Sequence, residues 1–367
     1  MNNIVIVEQL IPHYREQFFQ DLQNSVSDMN DIYVLHSSHN KSAFIVNNIH
    51  SFNNIYVHNY KFCWFNFQNI ICPLLRLRPQ IIITDHNPYN LTNYLLILLR
   101  KIFRFKLMFW GHGGSNKFSL EDNLKIKNYF HRLFIKSSDK YLAYTEGVAK
   151  RILPFTSNGR IVNVKNTINV EAMILVRKSL QSVDVIKQQL GLSYPYYITY
   201  IGRLYKEKRA DIVLEVYQQL KSRYDIGVII IGDGEEAERL KAISDNRVLF
   251  TGNIGDWNIS GKYLYCSNIV FIPGDIGLAI NHSFAFGTPV LTQEHVLGKS
   301  PNHGPEYSYL IDKYNGRICQ NGSLESMTEC AIDLIENTVG YKKNVEQYID
   351  SNLHLEDMVD AFRLAVS

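Results

Sequence analysis

Short, continuous runs of apolar and β-branched residues alternate along the chain with longer segments whose apolar positions recur at helical spacing. In the first half the runs Ile4–Val7, Ile32–His36, Ile81–Thr84, Leu107–Trp110, Tyr141–Tyr144 and Ile161–Val164 predict strands. In the second half Tyr197–Ile201, Gly227–Ile231, Val248–Thr251 and Ile269–Ile272 do the same. The segments Tyr14–Leu22, Ala210–Leu220, Glu235–Ile243 and Gly277–Phe286 between them predict helices. Strands that are apolar throughout must be covered on both faces, which a parallel sheet flanked by helices achieves. The pattern therefore predicts an α/β chain of two doubly wound, Rossmann-like domains, and 367 residues is a length that suits two.

The loop Lys165–Asn169 closes the first series, the next segment to Leu190 predicts one long polar helix, and a second βα series opens at Tyr196. These marks predict domains over residues 1–168 and 169–350. Residues 351–367 form a last helix that packs back on the first domain.

Composition changes this picture little but excludes several classes. Hydrophobic residues make up 46% and charged residues 20%, unlike a disordered chain. Against 38 basic residues stand 35 acidic ones, and a net charge of +3 gives no general affinity for nucleic acid, so none is expected as a partner. Cys63, Cys72, Cys266, Cys319 and Cys330 are odd in number and lack CxxC spacing, which predicts neither a disulfide framework nor a zinc site and suits a reducing, cytoplasmic setting. Met1–Glu8 has no basic region followed by a long apolar one and reads as a strand rather than a secretory signal. The most apolar stretch, Leu91–Trp110, is interrupted by Arg100, Lys101, Arg104 and Lys106, so a membrane span is not expected. It reads either as a buried helix and strand or as a basic, aromatic edge resting on an anionic membrane surface.

Candidate chemistry gathers at the predicted strand ends. After the strand ending at Ile201, Gly202 lets the backbone turn close to a ligand, Arg203 offers a forked pair of donors and Lys208 a point charge: a phosphate site in outline. Gly232-Asp-Gly234 and Gly252-Asn-Ile-Gly255 end the next two strands and extend the same rim. After Phe271 the chain runs through Pro273-Gly274-Asp275 into a helix predicted near Gly277, whose exposed amides suit a diphosphate. His282 lies on the first turns of that helix.

The order of these pieces carries a resemblance. Gly202-Arg-Leu-x-x-x-Lys208, Gly232-Asp-Gly234, Gly277-Leu278 with a helix closed by Gly287-Thr-Pro-Val290, then Gly304-Pro-Glu306 and Asn315-Gly316 resemble the carboxy-terminal half of retaining glycosyltransferases of the family 4 type, which have the GT-B fold. The amino-terminal half is similar too, with Ile11-Pro-His-Tyr-Arg15, Phe109-Trp-Gly-His-Gly113, Tyr144-Thr-Glu-Gly147 and Asn166-Thr-Ile-Asn169. The resemblance implies two domains facing each other across a cleft, with Arg203 and Lys208 as the catalytic cations on the donor diphosphate. It implies that Asn253 and Ile254 meet the base, and that Gly277 and Leu278 meet the phosphates or sugar. His112 is implied near the transferred sugar, with His13, Tyr14, Arg15 and Gly113 on the acceptor side. One departure stands out. Family members commonly carry two glutamates with seven residues between them around the glycine helix, and here those positions are Gly274 and His282, with the adjacent Asp275 as a source of the missing carboxylate. A variant with Pro-Gly before the helix and histidine within it occurs in bacterial surface-polysaccharide enzymes.

The implied reaction is transfer, with retention, of a hexose or N-acetylhexosamine from a nucleotide diphosphate sugar, UDP-sugar favoured, to a glycan or lipid-linked oligosaccharide in O-antigen or capsule assembly. No cofactor or metal is expected, since no Asp-x-Asp triplet is placed to bridge a diphosphate. The rival readings are a nucleotide-sugar epimerase on the same fold, a non-catalytic nucleotide-sugar-binding subunit, and a dinucleotide oxidoreductase. The last is disfavoured by the lack of Gly-x-Gly-x-x-Gly after the first strand.

Overall fold

The apolar runs form most of the strands of two parallel sheets; β3, β14 and β15, whose ranges follow, were not among them. The computed structural model describes residues 2–27, 30–37, 51–114, 119–122 and 126–367. It divides the chain into two compact units, Met1–Asn166 with Leu355–Ser367, and Thr167–His354. The sequence pattern put these divisions at 168/169 and 350/351.

The first unit contains β1 (Asn2–Val7), β2 (Asn30–His36), β3 (Asn54–Tyr56), β4 (Asn59–Phe62), β5 (Phe65–Gln68), β6 (Ile81–Asp85), β7 (Lys106–Gly111), β8 (Lys140–Ala143) and β9 (Ile161–Asn163). Seven of them form a sheet in the order β3-β2-β1-β6-β7-β8-β9, with every pair parallel. Strands β4 and β5 make a separate antiparallel hairpin that the alternation of elements does not foretell. The helices are α1 (His13–Val26), α2 (Ile71–Leu77), α3 (Leu91–Phe103), α4 (Ile126–Ser137) and α5 (Glu146–Ile152).

Successive residues of β1 show why its run is apolar throughout. Ile4 and Ile6 enter the core that holds Phe18, Leu22 and Phe362, whereas Val5 and Val7 enter the core that holds Leu74, Leu96 and Phe134. Phe362 belongs to the terminal helix Leu355–Val366, and its ring lies 4.9 Å from Phe18 and from Trp110, edge-on to both. In the stretch Leu91–Trp110, β7 is buried, but α3 buries only Thr92, Asn93 and Leu96 and leaves Leu98 and Ile102 exposed. Arg100 is tied to Asp139 at 2.6 Å.

The second unit opens with α6 (Val170–Ser179) and α7 (Val183–Leu190), then β10 (Tyr196–Ile201), α8 (Ala210–Leu220), β11 (Ile226–Ile231), α9 (Ala237–Ala242), β12 (Val248–Gly252), α10 (Trp257–Cys266) and β13 (Ile269–Phe271). It continues with α11 (Ala279–Ala285), β14 (Val290–Gln293), β15 (Gly316–Cys319), α12 (Leu324–Glu336) and α13 (Thr338–Ile349), before the chain returns to the first unit as α14 (Leu355–Val366). One long helix up to Leu190 was expected and two are found. Leu180 takes an extended backbone that ends α6, and Ser182 starts α7. All strand pairs are again parallel, in the order β12-β11-β10-β13-β14-β15.

Each sheet therefore has one place where the strand order reverses, between β1 and β6 in the first unit and between β10 and β13 in the second. The connections on either side leave in opposite directions there, and a crevice opens beyond the carboxyl ends of the two strands.

Candidate functional site

In the second unit, Gly202, Arg203 and Lys208 follow β10, and Gly274 and Asp275 follow β13, so these five stand at that crevice. The turns after β10, β11 and β12 are joined backbone to backbone. Gly202 N–H donates to Ile231 at 3.0 Å, Leu204 N–H to Asp233 at 2.9 Å, and Gly232 N–H to Gly252 at 2.9 Å. Only glycine permits this approach, since a Cβ on Gly232 would stand 1.9 Å from the Gly202 carbonyl oxygen.

Lys208 ends a single 3₁₀ turn over Lys206–Lys208, and its Nζ donates to the Asp275 carbonyl across the crevice. Burial lowers its pKa, Asp275 opposes that shift and the nearby Arg203 adds to it. Arg203 itself is exposed, with its guanidinium 5.0 Å from the centre of the Tyr205 ring. At Gly274 the two crevice loops touch. A Cβ there would lie 2.4 Å from the Glu207 carbonyl oxygen and 2.5 Å from that of Lys208. Gly274 thus presents no side chain to a ligand and instead lets the Lys208 turn close on Asp275. Asp275 is engaged in turn, because its Oδ1 accepts the Asn302 N–H at 2.6 Å.

The chain beyond is tethered by His303, which sequence reasoning missed. Ile276 N–H donates to His303 Nδ1 at 3.2 Å, His303 Nε2 faces the Gln293 carbonyl at 2.8 Å, and Gly304 N–H donates to the Ile276 carbonyl at 2.7 Å. An accepted bond on Nδ1 assigns the proton to Nε2, and burial keeps the ring neutral with a pKa of about 4. This tether explains why α11 starts at Ala279 rather than near Gly277, for the backbone groups of Ile276 are already bonded. Gly277 and Leu278 precede the helix; a Cβ on Gly277 would meet nothing within 4 Å, and Leu278 leans on the core.

His282 sits one turn into α11, its ring 5.6 Å from Phe286. Burial pushes its pKa down to about 4, against a backbone contact with Trp257 that favours the proton. Its Nε2 is buried and has no hydrogen-bond partner in the structure. Asn253 is exposed in the turn after β12, and Ile254 packs against the core beside it.

The candidate residues of the first unit divide into two groups. His13 and Tyr14 are exposed at the start of α1, whereas Arg15 is buried. Its guanidinium lies 4.8 Å from the centre of the Trp110 ring and bonds Asn166 and, at 3.4 Å, the Met358 sulfur. Arg15 thus joins α1 to α14 and to the end of the first series. His112 keeps solvent access with its ring 4.6 Å from that of Tyr144, and the protein around it, then Arg151 and Arg15, push its pKa down to about 4. The turn that carries it is fixed from below. Arg151 bonds the His112 carbonyl, and Gly113, at φ 70, donates its N–H to Tyr141 Oη at 2.9 Å.

Tyr141 Oη lies 2.7 Å from His86 Nδ1, and His86 Nε2 lies 2.8 Å from His131 Nδ1. With Gly113 donating to its oxygen, Tyr141 can turn its own proton to His86 Nδ1, an arrangement in which His86 Nε2–H donates to His131 Nδ1. Burial holds both rings neutral. No local motif announces this chain; its one sequence signal is a histidine directly after a strand.

Among the described residues no group of three or more His, Cys, Asp and Glu is placed to hold a metal ion, and no helix is long and apolar enough to cross a membrane. All five cysteines are unpaired.

The glycine contacts predict opposite outcomes at two nearby positions. Gly274→Glu, which restores the glutamate of the resembled family, should push the Lys208 turn away and destabilise by about 1–3 kcal/mol or more, as overpacking does. Gly277→Ala enters open space and should stay within about 1 kcal/mol of the parent. Melting temperatures of the two variants decide it; an unaffected Gly274→Glu protein would refute the backbone contact.

Residues 182–351 match the model of the family described as glycosyl transferases group 1. A search of curated proteins by sequence found no match. Similar solved structures include Anabaena HepE in complex with UDP, at 14% identity and TM-score 0.72, covering 100% of this chain and 99% of that one. The apo lipopolysaccharide outer core galactosyltransferase WaaB is 15% identical with TM-score 0.70, covering 99% of each chain. A candidate UDP-N-acetylglucosamine 2-epimerase from Listeria monocytogenes is 13% identical with TM-score 0.67, covering 99% of this chain and 95% of that one. At such identities the likeness establishes architecture: the chain has the GT-B fold of two Rossmann-like units, and its second unit carries the match to glycosyl transferases group 1.

Proposed function

We propose that the protein is a retaining glycosyltransferase that moves a hexose or N-acetylhexosamine from a nucleotide diphosphate sugar to a glycan or lipid-linked acceptor in bacterial surface-polysaccharide synthesis. The observation that carries this reading is the pair Arg203 and Lys208 at the β10/β13 crevice, beside Gly277, where an added Cβ would meet nothing within 4 Å. The family match spans this crevice, and HepE was solved with UDP, which supports a UDP-sugar as donor.

In this reading Lys208 and Arg203 stabilise charge on the departing diphosphate. Gly277 offers an unobstructed backbone to phosphate or sugar, and Asn253 and Ile254 lie where the base is received. His282, at the position of the family's second glutamate, is assigned the donor-hydroxyl contact in its place. As the bond from sugar to phosphate breaks and the bond to the acceptor oxygen forms on the same face, the acceptor's proton passes to the leaving phosphate oxygen.

Lys208→Ala and Arg203→Ala should each fold and lose turnover by about 10²-fold or more, the size of loss that follows removal of one transition-state donor. Turnover is read as nucleotide release from UDP-sugars with and without a glycan acceptor. Near-normal rates in both variants would sink the assignment, and release that needs no acceptor and yields an altered sugar would mark an epimerase.

Because side-chain cations are assigned the role a divalent ion can play, excess chelator should leave the rate within about twofold. Strict dependence on manganese or magnesium would contradict the mechanism.

Contact with an anionic membrane belongs to the same proposal. Between Ser51 and Gly111 the sequence has one acidic residue, Asp85, against seven lysines and arginines. In the β4–β5 hairpin Trp64 is 83% and Phe62 56% exposed. Each basic residue near such a surface contributes about 1 kcal/mol. Flotation with anionic vesicles should therefore recover the protein at low salt and lose it at high salt; equal recovery with neutral vesicles, or none with either, would exclude the contact.

A further inference from the structure

The backbone that carries Arg203 is fixed at each step. Three successive carbonyls accept hydrogen bonds: Arg203 from Tyr200 Oη at 2.9 Å, Leu204 from the Glu236 N–H at 3.0 Å and Tyr205 from the Lys208 N–H at 2.9 Å. Leu204 is completely buried, whereas Arg203 and Tyr205 on either side of it are exposed, the alternation of an extended chain. Tyr205, at φ −104 and ψ 157, keeps that conformation up to the 3₁₀ turn. Alternate residues of such a segment share a face, which sets the Tyr205 ring beside the Arg203 side chain.

The side chain of Arg203 is held in another way. Among the described residues none forms an ion pair or hydrogen bond with its guanidinium, whose Cζ lies 5.0 Å from the centre of the Tyr205 ring, within cation–π reach. The charge of Lys208, on the same turn, repels it. A long side chain with a like charge nearby and no acceptor spreads over many rotamers. The ring face, negative at its centre, opposes both the repulsion and the spread.

This contact gives the fold little, since Tyr205 is 39% exposed and lies outside the core. What it gives the crevice is specific. A cation–π contact consumes none of the five guanidinium N–H donors, so all of them remain for an anion with several oxygens, as a carboxylate partner in the same place would not allow. Tyr205 engages both cations, Lys208 through its carbonyl and Arg203 through its ring.

We propose that Tyr205 is a positioning residue, whose ring holds the Arg203 guanidinium at the β10/β13 crevice with its donors free for the phosphate oxygens of a nucleoside diphosphate. The use of the contact rests on the glycosyltransferase reading.

The test is calorimetric titration of the full chain with UDP, GDP and ADP, together with NMR of the Arg203 side chain. Parent, Tyr205→Leu, Tyr205→Phe, Arg203→Ala and the double variant with Leu and Ala are compared with whichever nucleotide binds tightest. Tyr205→Leu removes an exposed ring and should melt within a few degrees of the parent. It should weaken nucleotide binding about 2- to 5-fold, the equilibrium factor of an exposed cation–π contact, whereas Tyr205→Phe, which keeps the ring, should bind as the parent does. Once Arg203 is alanine, Tyr205→Leu should change nothing further, an outcome that a merely structural role would not produce. In the free protein the Arg203 δ protons should lose their upfield ring shift in Tyr205→Leu and keep it in Tyr205→Phe. Equal or tighter binding by Tyr205→Leu, the same loss with and without Arg203, or unmoved Arg203 resonances overturns the inference. If Arg203→Ala weakens binding and Tyr205→Leu does not, the donor reading stands and this inference alone falls. If no nucleotide binds the parent, or Arg203→Ala binds as the parent does, the donor reading fails and takes the use of the contact with it.

Discussion

The constraint from which the rest follows is the reversal of strand order within each parallel sheet. Strands covered on both faces bury their side chains completely, so polar chemistry is confined to their ends. At the reversal the flanking connections diverge, and the groups beyond the two carboxyl ends are left without covering backbone. The two units meet this condition differently. Between β10 and β13 the gap is narrowed by glycine contacts and crossed by Lys208, which leaves a cationic crevice. Between β1 and β6 the edge carries two carboxyl groups, those of Glu8 and Asp85. One architecture thus yields a cationic edge in one unit and an edge with two carboxyl groups in the other, through the residues that follow four strands.

The departures from the resembled glutamate pair have a structural logic. A side chain at 274 cannot coexist with the Lys208 turn in its observed position, because the carbonyl oxygens of Glu207 and Lys208 occupy the volume it needs. The glycine and the closeness of Lys208 to Asp275 are therefore one feature. Asp275 in turn accepts the Asn302 N–H through one carboxylate oxygen. His282 occupies the other glutamate position as a neutral base, and a neutral ring with an unpartnered nitrogen asks less desolvation of its surroundings than a carboxylate would.

Neutral histidines recur as positioning elements. His303 tethers the strand-to-helix connection, and His86 with His131 supports the turn beneath His112 through Tyr141. For His303 the Ile276 N–H, which can only donate, assigns the tautomer. Burial keeps the rings uncharged, so that each can accept on one side and donate on the other.

Much of this was legible in the sequence, because it depends on local pattern. The apolar runs located most sheet strands, the strand-end glycines and cations marked the β10/β13 crevice, and the order of motifs indicated the GT-B fold. Helix limits at Leu180 and Ala279 were not legible, since they are set by an extended residue and by a tether from His303 more than twenty residues away in the chain. Nor could sequence spacing tell that Arg15 is buried against Trp110 and α14, or that Gly274 packs against the backbone of the Lys208 turn. The pairing of Glu8 with Asp85, and of Tyr141 with His86 and His131, arises from strand register and helix packing across tens of residues. The sequence alone determined which elements form and what chemistry their ends carry, since periodicity and residue type act locally. Only the tertiary structure decided which of those groups are engaged, buried or left open, because that depends on what else the fold brings within a few ångströms.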